Sequence, residues 1–216
     1  MTIKSRGLGV ALLVAASAAL VVPVGASAKS TTFGSSLVNE PANTGNNRSC
    51  LLASVQAPCT RVGFYTGNAG VTKSPVNGTI TKFRVRSAAP GQMTFKLVRV
   101  RGVDLNAGTC QARAVATGPT VNVLGPQLDG DGEIVNTDNP YPIQTFRTKI
   151  KVRKGDVVAI DSTTTDALYC ANGDPGQLLF RPVLKVSKKF RSTTSVDDNN
   201  QCSLLVQAVV KPAKKK

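Results

Sequence analysis

The sequence contains no His and no Trp, and only 5% of its 216 residues are aromatic. Without His there is no Ser-His-Asp triad, no Cys-His pair, no imidazole metal ligand and no imidazole proton shuttle. Acidic residues are also few, with 12 Asp and Glu against 27 Lys and Arg, so the formal charge is +15. Apolar residues make up 41% of the chain, which is enough for a folded core. The composition therefore disfavours most hydrolytic mechanisms and favours binding.

The first 28 residues have the three-part pattern of a secretory signal peptide. Lys4 and Arg6 precede an apolar run at 8–24, and the small residues at 26–28 suit a signal peptidase. We predict a helical signal peptide at 1–28, cleavage after Ala28 and a secreted, extracellular protein, with association to the cell wall left open. An uncleaved anchor is the alternative, because the apolar run approaches the length of a thin membrane span. Cleavage removes two of the 27 basic residues, Lys4 and Arg6. The remaining 25 basic and 12 acidic residues give a formal charge of +13.

Five cysteines follow this segment, and an exported protein carries them into an oxidising compartment. Disulfides are therefore expected rather than a zinc site, for which both CxxC pairs and His are lacking. The short spacing around a Pro turn favours a Cys50–Cys59 bridge. Of the other three we prefer Cys170 with Cys202, which leaves Cys110 free or paired between chains.

The polar and apolar residues alternate with a period of two, which is typical of β-strands. The alternation is clearest at 79–86, 93–97, 146–153 and 202–210, with shorter candidate strands at 111–116, 120–123, 157–160 and 178–180. The turns at 89–91 and 154–156 predict two hairpins. The sequence therefore predicts an all-β fold of about eight strands, a two-sheet antiparallel sandwich with a jelly-roll-like arrangement.

The chain divides into a signal peptide at 1–28, a loop-rich N-terminal segment at 29–60, a sandwich at 61–211 and a basic tail at 212–216. The Val152-Arg153-Lys154-Gly155-Asp156-Val157 turn and the closing strand at 204–210 resemble those of uncharacterised secreted proteins of actinobacteria. The resemblance covers the chain from Gly78 onward and implies one exported β-sandwich. Some of those proteins carry acidic calcium-type repeats after the last strand, whereas this chain ends in a run of lysines. The resemblance implies no catalytic residues.

Basic residues are concentrated in two stretches, 82–101 and 147–154. Neither stretch contains an Asp or a Glu. Residues two apart in a strand point the same way, about 6.5–7 Å from each other. Each stretch therefore predicts a basic row on the outer face of a strand, and the two rows merge if the strands are neighbours. The residues of the two rows are Lys82, Arg84 and Arg86, and Arg147, Lys149, Lys151 and Arg153.

A merged basic face would bind polyanions, and its affinity would fall as salt rises. The alternative is an ordinary solvated face, although like charges side by side destabilise a sheet. The expected partner is an anionic polysaccharide or wall polymer. Specific nucleic-acid binding is not expected, because few aromatic residues are left to stack on bases. The lysines at 214–216 are read as a mobile, solubilising end that could also aid adhesion. The oligomeric state is left open.

One acidic stretch is a candidate calcium site. Asp129, Asp131 and Glu133 stand at alternate positions, and calcium prefers several oxygen ligands in a flexible loop. The stretch lacks the turn Gly and the twelfth-position Glu of an EF-hand. A plain acidic hairpin tip explains it as well, so no metal and no cofactor is predicted.

Two further functions stay open beside binding. A polysaccharide lyase needs no His, because Tyr65, Tyr141 or Tyr169 could act as base beside Arg side chains. A glycosidase would need two facing carboxylates, for which Asp161, Asp166 and the acidic stretch are candidates. A structural or assembly protein of the cell surface could use an unpaired Cys to link chains. The sequence favours a non-enzymatic binding protein.

Overall fold

The computed structural model describes residues 29–41, 51–52, 55–56, 58–63, 72–104, 109–163, 168–170, 177–193 and 202–214. These residues form strands, turns and loops, which confirms the all-β prediction. They include no helix that is long and apolar enough to cross a bilayer. The predicted signal peptide, its cleavage after Ala28 and Cys50 lie outside the described residues. The strands are β1 (Thr31–Gly34), β2 (Leu51–Leu52), β3 (Val55–Gln56), β4 (Cys59–Gly63), β5 (Gly78–Val85), β6 (Gly91–Asp104), β7 (Thr109–Val123), β8 (Gln144–Val152), β9 (Val157–Ser162), β10 (Leu168–Cys170), β11 (Gln177–Phe180), β12 (Arg191–Thr193), β13 (Cys202–Leu204) and β14 (Val206–Pro212).

Two antiparallel sheets organise the described chain. The four-stranded sheet has the order β1-β14-β5-β8, and the six-stranded sheet has the order β11-β4-β9-β6-β7-β12. Two short pairs, β10-β13 and β2-β3, stand beside them. The two large sheets hold ten strands, more than the eight in the sequence pattern, because strands as short as β1 and β12 leave little periodic signal.

The main core lies between the two large sheets. Phe83 of β5 and Phe95 of β6 are both fully buried, and their rings stack at 4.4 Å with an interplanar angle of 3°. Burial of such aromatic side chains dominates core energetics. The alternation of Phe83 and Val85 with outward residues follows from this packing, and a register shift between Ile80 and Lys82 turns Ile80 into the core as well.

The six-stranded sheet is buried on its second face as well. A segment at 181–190 crosses this face, and Leu184 packs there with Val98, Val157 and Phe180 in a second apolar cluster. Burial on both faces explains why 157–160 is a continuous apolar run instead of an alternating one. The four-stranded sheet keeps an outer face of polar and charged side chains.

The two hairpins predicted at 89–91 and 154–156 are wrong. The first turn joins β5 to β6 and the second joins β8 to β9, and in both cases the two strands belong to different sheets. The turns are therefore corners at which the chain crosses from the four-stranded to the six-stranded sheet. The alternation still gives the correct inward residues, because Phe83 and Phe95 meet across the core instead of along one sheet. A true hairpin joins β6 to β7, and β7 is one strand where the sequence pattern indicates two.

The N-terminal segment contributes to both large sheets. β1 pairs with β14, and β4 pairs with β9 and β11. β14 in turn lies between β1 and β5. The four-stranded sheet therefore combines residues from the beginning, the middle and the end of the described chain.

Candidate functional site

The pairing of β5 with β8 brings the two predicted basic rows side by side. Lys82 is directly opposite Arg147, and Thr79 is directly opposite Lys151. Opposed residues of an antiparallel pair lie on the same face, about 4.5–5.5 Å apart between Cβ atoms. The condition under which the rows would merge is therefore met, and both rows lie on the outer face of the four-stranded sheet. We call this surface the basic face.

Most of the basic face is open to solvent. Lys82, Arg147, Lys149 and Lys151 are exposed, and Arg153, just beyond the end of β8, is exposed as well. Arg84 is half-buried, and its Nη1 donates to Oε1 of Gln207 on β14 at 3.1 Å. This bond fixes the Arg84 guanidinium over the centre of the sheet.

Arg86 departs from the predicted row. It follows the end of β5, and its Nη1 donates to the carbonyl of Asn39 at 3.2 Å while its Nη2 donates to Oδ1 of Asn139 at 3.3 Å. The guanidinium thus joins two loops at the edge of the sheet. These contacts assign Arg86 to holding the loops in place.

The basic face carries no neutralising acid of its own. None of the residues in β1, β14, β5 and β8 is Asp or Glu. The ion pairs that the structure describes belong to the other sheet, where Lys96 pairs with Asp161 at 2.7 Å and Arg99 pairs with Asp156 at 2.5 Å. The six-stranded sheet therefore pairs Lys96 and Arg99 with acids, and the four-stranded sheet leaves its lysines exposed.

The basic residues at 96–101 are structural, although the sequence groups them with Lys82 in one stretch without acids. Lys96 is buried, and its Nζ also donates to the carbonyl of Leu184. Arg101 lies over the ring of Phe190 at 3.9 Å from its centroid. These partners come from distant parts of the chain, so the local sequence does not reveal them.

An open concavity of about 600 Å³ lies at one end of the basic face. Here β8 ends, β5 begins and β14 ends, and Gly78 is paired with Val152 on one side and Pro212 on the other. The lining residues are Asn77, Gly78, Thr79, Lys151, Val152, Arg153, Lys211, Pro212 and Ala213. The sequence-based rows miss Lys211, because only the strand order places it beside β5.

Among the described residues no tyrosine lines this concavity, although a lyase mechanism would need one among the basic side chains. Tyr141 is half-buried in the loop before β8, at the strand end opposite Arg153. Tyr65 and the side chain of Tyr169 lie outside the described residues, as does Asp166. Asp161, a glycosidase candidate, forms an ion pair with Lys96. Its Oδ1 also accepts a hydrogen bond from the hydroxyl of Thr60 at 2.5 Å.

The acidic stretch forms a turn and does not gather its carboxylates around a cation. Oδ1 of Asp129 accepts hydrogen bonds from the backbone N of Asp131 at 3.0 Å and of Glu133 at 2.9 Å. Among the described residues no group of three acidic, Cys or His side chains could hold a metal ion. The carboxylate of Asp129 caps its own turn. The interpretation of Asp129, Asp131 and Glu133 as a calcium site therefore gains no support.

The cysteines are in contrasting surroundings. Cys110 is a free thiol that is 1% exposed, and burial raises its pKa to about 11, against a smaller opposing effect of the backbone hydrogen bond with Thr193. A protonated, buried thiol is a poor nucleophile for linking chains. Cys59 is disulfide-bonded. The backbone register places Cys170 directly opposite Cys202, while the pairings themselves stay predictions.

A second concavity, of about 560 Å³, lies beside the loop that precedes β8 and is more apolar than the first. Leu124 and Leu128 line it together with several prolines, and both leucines are more than half exposed. Side-chain amides of Gln127, Asn136 and Asn139 also border it. The sequence pattern does not indicate this surface, because it is formed by irregular loops.

Comparisons of the chain with protein-family models, with curated proteins and with solved structures return no match. The geometry of the basic face is therefore the basis for a functional proposal.

Proposed function

We propose that the protein is a secreted, non-enzymatic β-sandwich that binds anionic polymers of the cell envelope or the extracellular medium through its basic face. One observation carries the proposal: the β5–β8 register sets Lys82 opposite Arg147 on a sheet whose four strands contain no acid. Like charges directly opposite destabilise a sheet, so an unneutralised face of this kind has a cost to folding. Binding of a polyanion removes that repulsion.

The sandwich is, on this proposal, jelly-roll-like. The two corners at 86–90 and 153–156 support it, because in both the chain leaves one sheet for the other. The corners also hold the face rigid, since the core behind β5 and β8 is shared with β6 and β9. A rigid row of cations suits a repeating anionic chain better than a mobile tail does.

The side chains of the basic face favour polymers that bind by charge and do not require stacking of bases on aromatic rings. Its outward side chains are Lys, Arg, Thr, Gln and Val, whereas Phe33, Phe83 and Phe95 are buried in the core. Proteins that bind single-stranded nucleic acid combine basic grooves with exposed aromatic rings. An acidic polysaccharide or a phosphate-containing wall polymer needs charge alone.

The test compares two variants of equal charge by retention on anionic polymers as a function of salt. In the first, Lys82, Arg147 and Lys149 are replaced by Gln. In the matched control, three exposed lysines of the segment that covers the other sheet are replaced by Gln, namely Lys185, Lys188 and Lys189.

The affinity falls as salt rises, and we expect this dependence to be weaker in the first variant. The slope of log affinity against log salt should be smaller in magnitude by about 2 to 3, because one counterion fewer is released for each contact that is lost. The control should change the slope by less than about 1. Equal losses in the two variants would show that the protein responds only to net charge, and would refute a binding role of this face.

A further inference from the structure

We infer that the concavity at the end of the basic face is a phosphate subsite, which holds a phosphate group of the bound polymer. This inference rests on the proposed function and names the chemical class of its ligand. Three cationic side chains border the concavity, from Lys151, Arg153 and Lys211. Lys151 belongs to β8, Arg153 directly follows the end of β8, and Lys211 belongs to β14, so the cations stand on both sides of β5.

The strand register places two of the cations symmetrically about a hydroxyl. Thr79 is directly opposite Lys151 on β8 and directly opposite Lys211 on β14. The two lysines therefore flank Thr79 on the same face, and Nζ of Lys151 is 3.5 Å from the Thr79 hydroxyl. With strands about 4.7–4.9 Å apart, two flexible lysine side chains reach an anion seated above Thr79.

The walls of the concavity are held by backbone hydrogen bonds. The backbone N of Ala213 donates to the carbonyl of Asn77 at 2.9 Å, which fixes the end of β14. Oδ1 of Asn77 accepts from the backbone N of Lys154 at 2.9 Å, which fixes the corner after β8. A site whose walls are already in place avoids the cost of ordering them on binding.

Gly78 allows the close approach of β14 that forms the floor. A Cβ atom at this position would collide with the carbonyl oxygen of Lys211 and come within 2.8 Å of a methyl group of Val210. Any side chain would therefore push β14 away from β5 and separate Lys211 from Thr79.

Asp156 follows Arg153 by three residues, and its carboxylate forms no ion pair with Lys151, Arg153 or Lys211. Both of its oxygens are bound elsewhere, one to Arg99 and the other to the backbone N of Arg153. The three cations thus keep their charge for a ligand. A tetrahedral phosphate offers several acceptor oxygens in different directions, which suits donors on both sides of β5 better than a planar carboxylate does.

The size of the concavity also fits a group larger than an isolated ion. Ligand sites commonly measure about 300–1,000 Å³, and about 600 Å³ leaves room for a phosphate with the alcohol or sugar that it esterifies. From there, the exposed row of Lys149 and Arg147 continues along β8. Successive anionic groups of one polymer can therefore occupy the subsite and the row together.

The experiment measures the affinity of the purified protein for tripolyphosphate and for long-chain polyphosphate, with polyglutamate of equal charge as the non-phosphate probe. Three variants of equal charge are compared with the unaltered chain: Lys211→Gln in the subsite, Lys149→Gln on the row outside it, and Lys188→Gln far from both. Amide NMR shifts locate the bound tripolyphosphate, and inorganic phosphate tests whether a free anion suffices.

We expect Lys211→Gln to weaken tripolyphosphate binding about tenfold, the loss typical of one charge-assisted hydrogen bond. Lys149→Gln and Lys188→Gln should weaken it less than about twofold, while Lys149→Gln should reduce binding of the long chain. The NMR shifts should change at 77–79, 151–153 and 211–213, with inorganic phosphate producing the same changes at higher concentration.

Each result decides between the two proposals. Equal effects of Lys211→Gln and Lys188→Gln on tripolyphosphate would overturn the subsite, and the basic face would stand if the long chain still responds to Lys149→Gln. Polyglutamate binding as tight as polyphosphate would overturn the phosphate preference. Polyphosphate binding that no variant alters would overturn both the subsite and the proposed function.

Discussion

The carboxylate of Asp156 connects the corner after β8 to the six-stranded sheet, and its removal can be followed quantitatively. Oδ1 accepts hydrogen bonds from Nε and Nη2 of Arg99 at 2.9 and 2.5 Å, and Oδ2 accepts from the backbone N of Arg153 at 2.9 Å. The Asp156 side chain is 2% exposed and that of Arg99 is 29% exposed. Asp156→Ala therefore leaves a partly buried guanidinium and a backbone donor without their acceptor.

The expected cost follows from these exposures. Breaking a fully buried ion pair by removing one partner costs about 3–5 kcal/mol, and water reaching Arg99 reduces this amount. The orphaned backbone donor adds about 1–3 kcal/mol where water is excluded. We expect Asp156→Ala to lower the free energy of unfolding by about 3 kcal/mol, a large part of the roughly 5–15 kcal/mol typical of a domain.

Urea unfolding of four proteins measures this cost: the unaltered chain, Asp156→Ala, Asp156→Asn and the double variant Arg99→Met with Asp156→Ala. Asparagine keeps one carbonyl acceptor in place, so its loss should be about half that of alanine. The double variant removes the uncompensated cation and should recover about 1 kcal/mol or more relative to Asp156→Ala alone. A loss below about 1 kcal/mol for Asp156→Ala would refute the structural role of the corner.

Three further predictions concern charge, pH and disulfides. Arg147→Glu places opposite charges on the pair with Lys82, so it should raise the free energy of unfolding by about 0.2–1 kcal/mol while weakening polyphosphate binding; a loss of stability in chemical denaturation would contradict the repulsion on this face. The pKa of the Cys110 thiol is raised from 9.0 to about 11, so its contribution to stability is complete below pH 9 and disappears as the pH rises through about 11. The stability of the unaltered chain relative to Cys110→Ala should therefore fall by about 2–3 kcal/mol over this range, and an unchanged difference would argue against burial of the thiol. Peptide mapping without reduction should recover Cys170 linked to Cys202, since they are opposite in register; a peptide linking either of them to Cys110 would exclude this pairing.

The alternation of the sequence was sufficient to predict the strands that carry the basic face. At 82–85 and 147–152 it identified which residues point inward and which point outward, because burial of every second side chain is a local property. It did not indicate the register shift that also turns Ile80 inward, nor the contacts of Arg86 with two loops. The sequence did not indicate whether the two strands are neighbours, so the merging of the two basic rows could be predicted only on the assumption that they are. Strand pairing depends on residues far apart in the chain, and here it joins β5 to β8 across 58 intervening residues.

The turns were misinterpreted for a related reason. A four- or five-residue connection can join neighbours in one sheet or cross between two, and its local residues are alike in both cases. Asp156 has the ordinary position of a turn residue in the sequence, whereas its partner Arg99 lies 57 positions away. A similarly long separation in sequence hides the pairing of Lys96 with Asp161, so an outward cation and a buried one cannot be distinguished locally.

The concavity illustrates what the sequence leaves undetermined about the site. Lys211 was assigned to the end of the sandwich, next to the lysine tail, and nothing in its neighbours indicates a relation to Thr79. The relation arises because β14 is inserted between β1 and β5. A search for Gly at strand starts could have signalled the close approach at Gly78, although not its partner strand.

The central position of β14 has a consequence for how the protein acquires its fold. The four-stranded sheet cannot be completed until residues 206–212 are available, because β1 has no direct pairing with β5 and is joined to it only through β14. Synthesis of the chain from its N-terminus therefore leaves β1 without its strand partner until β14 has been added, whereas β5 can already pair with β8. Folds dominated by such long-range pairing form slowly, in milliseconds to seconds. The beginning of the described chain therefore waits for its strand partner while every strand between β1 and β14 is being synthesised.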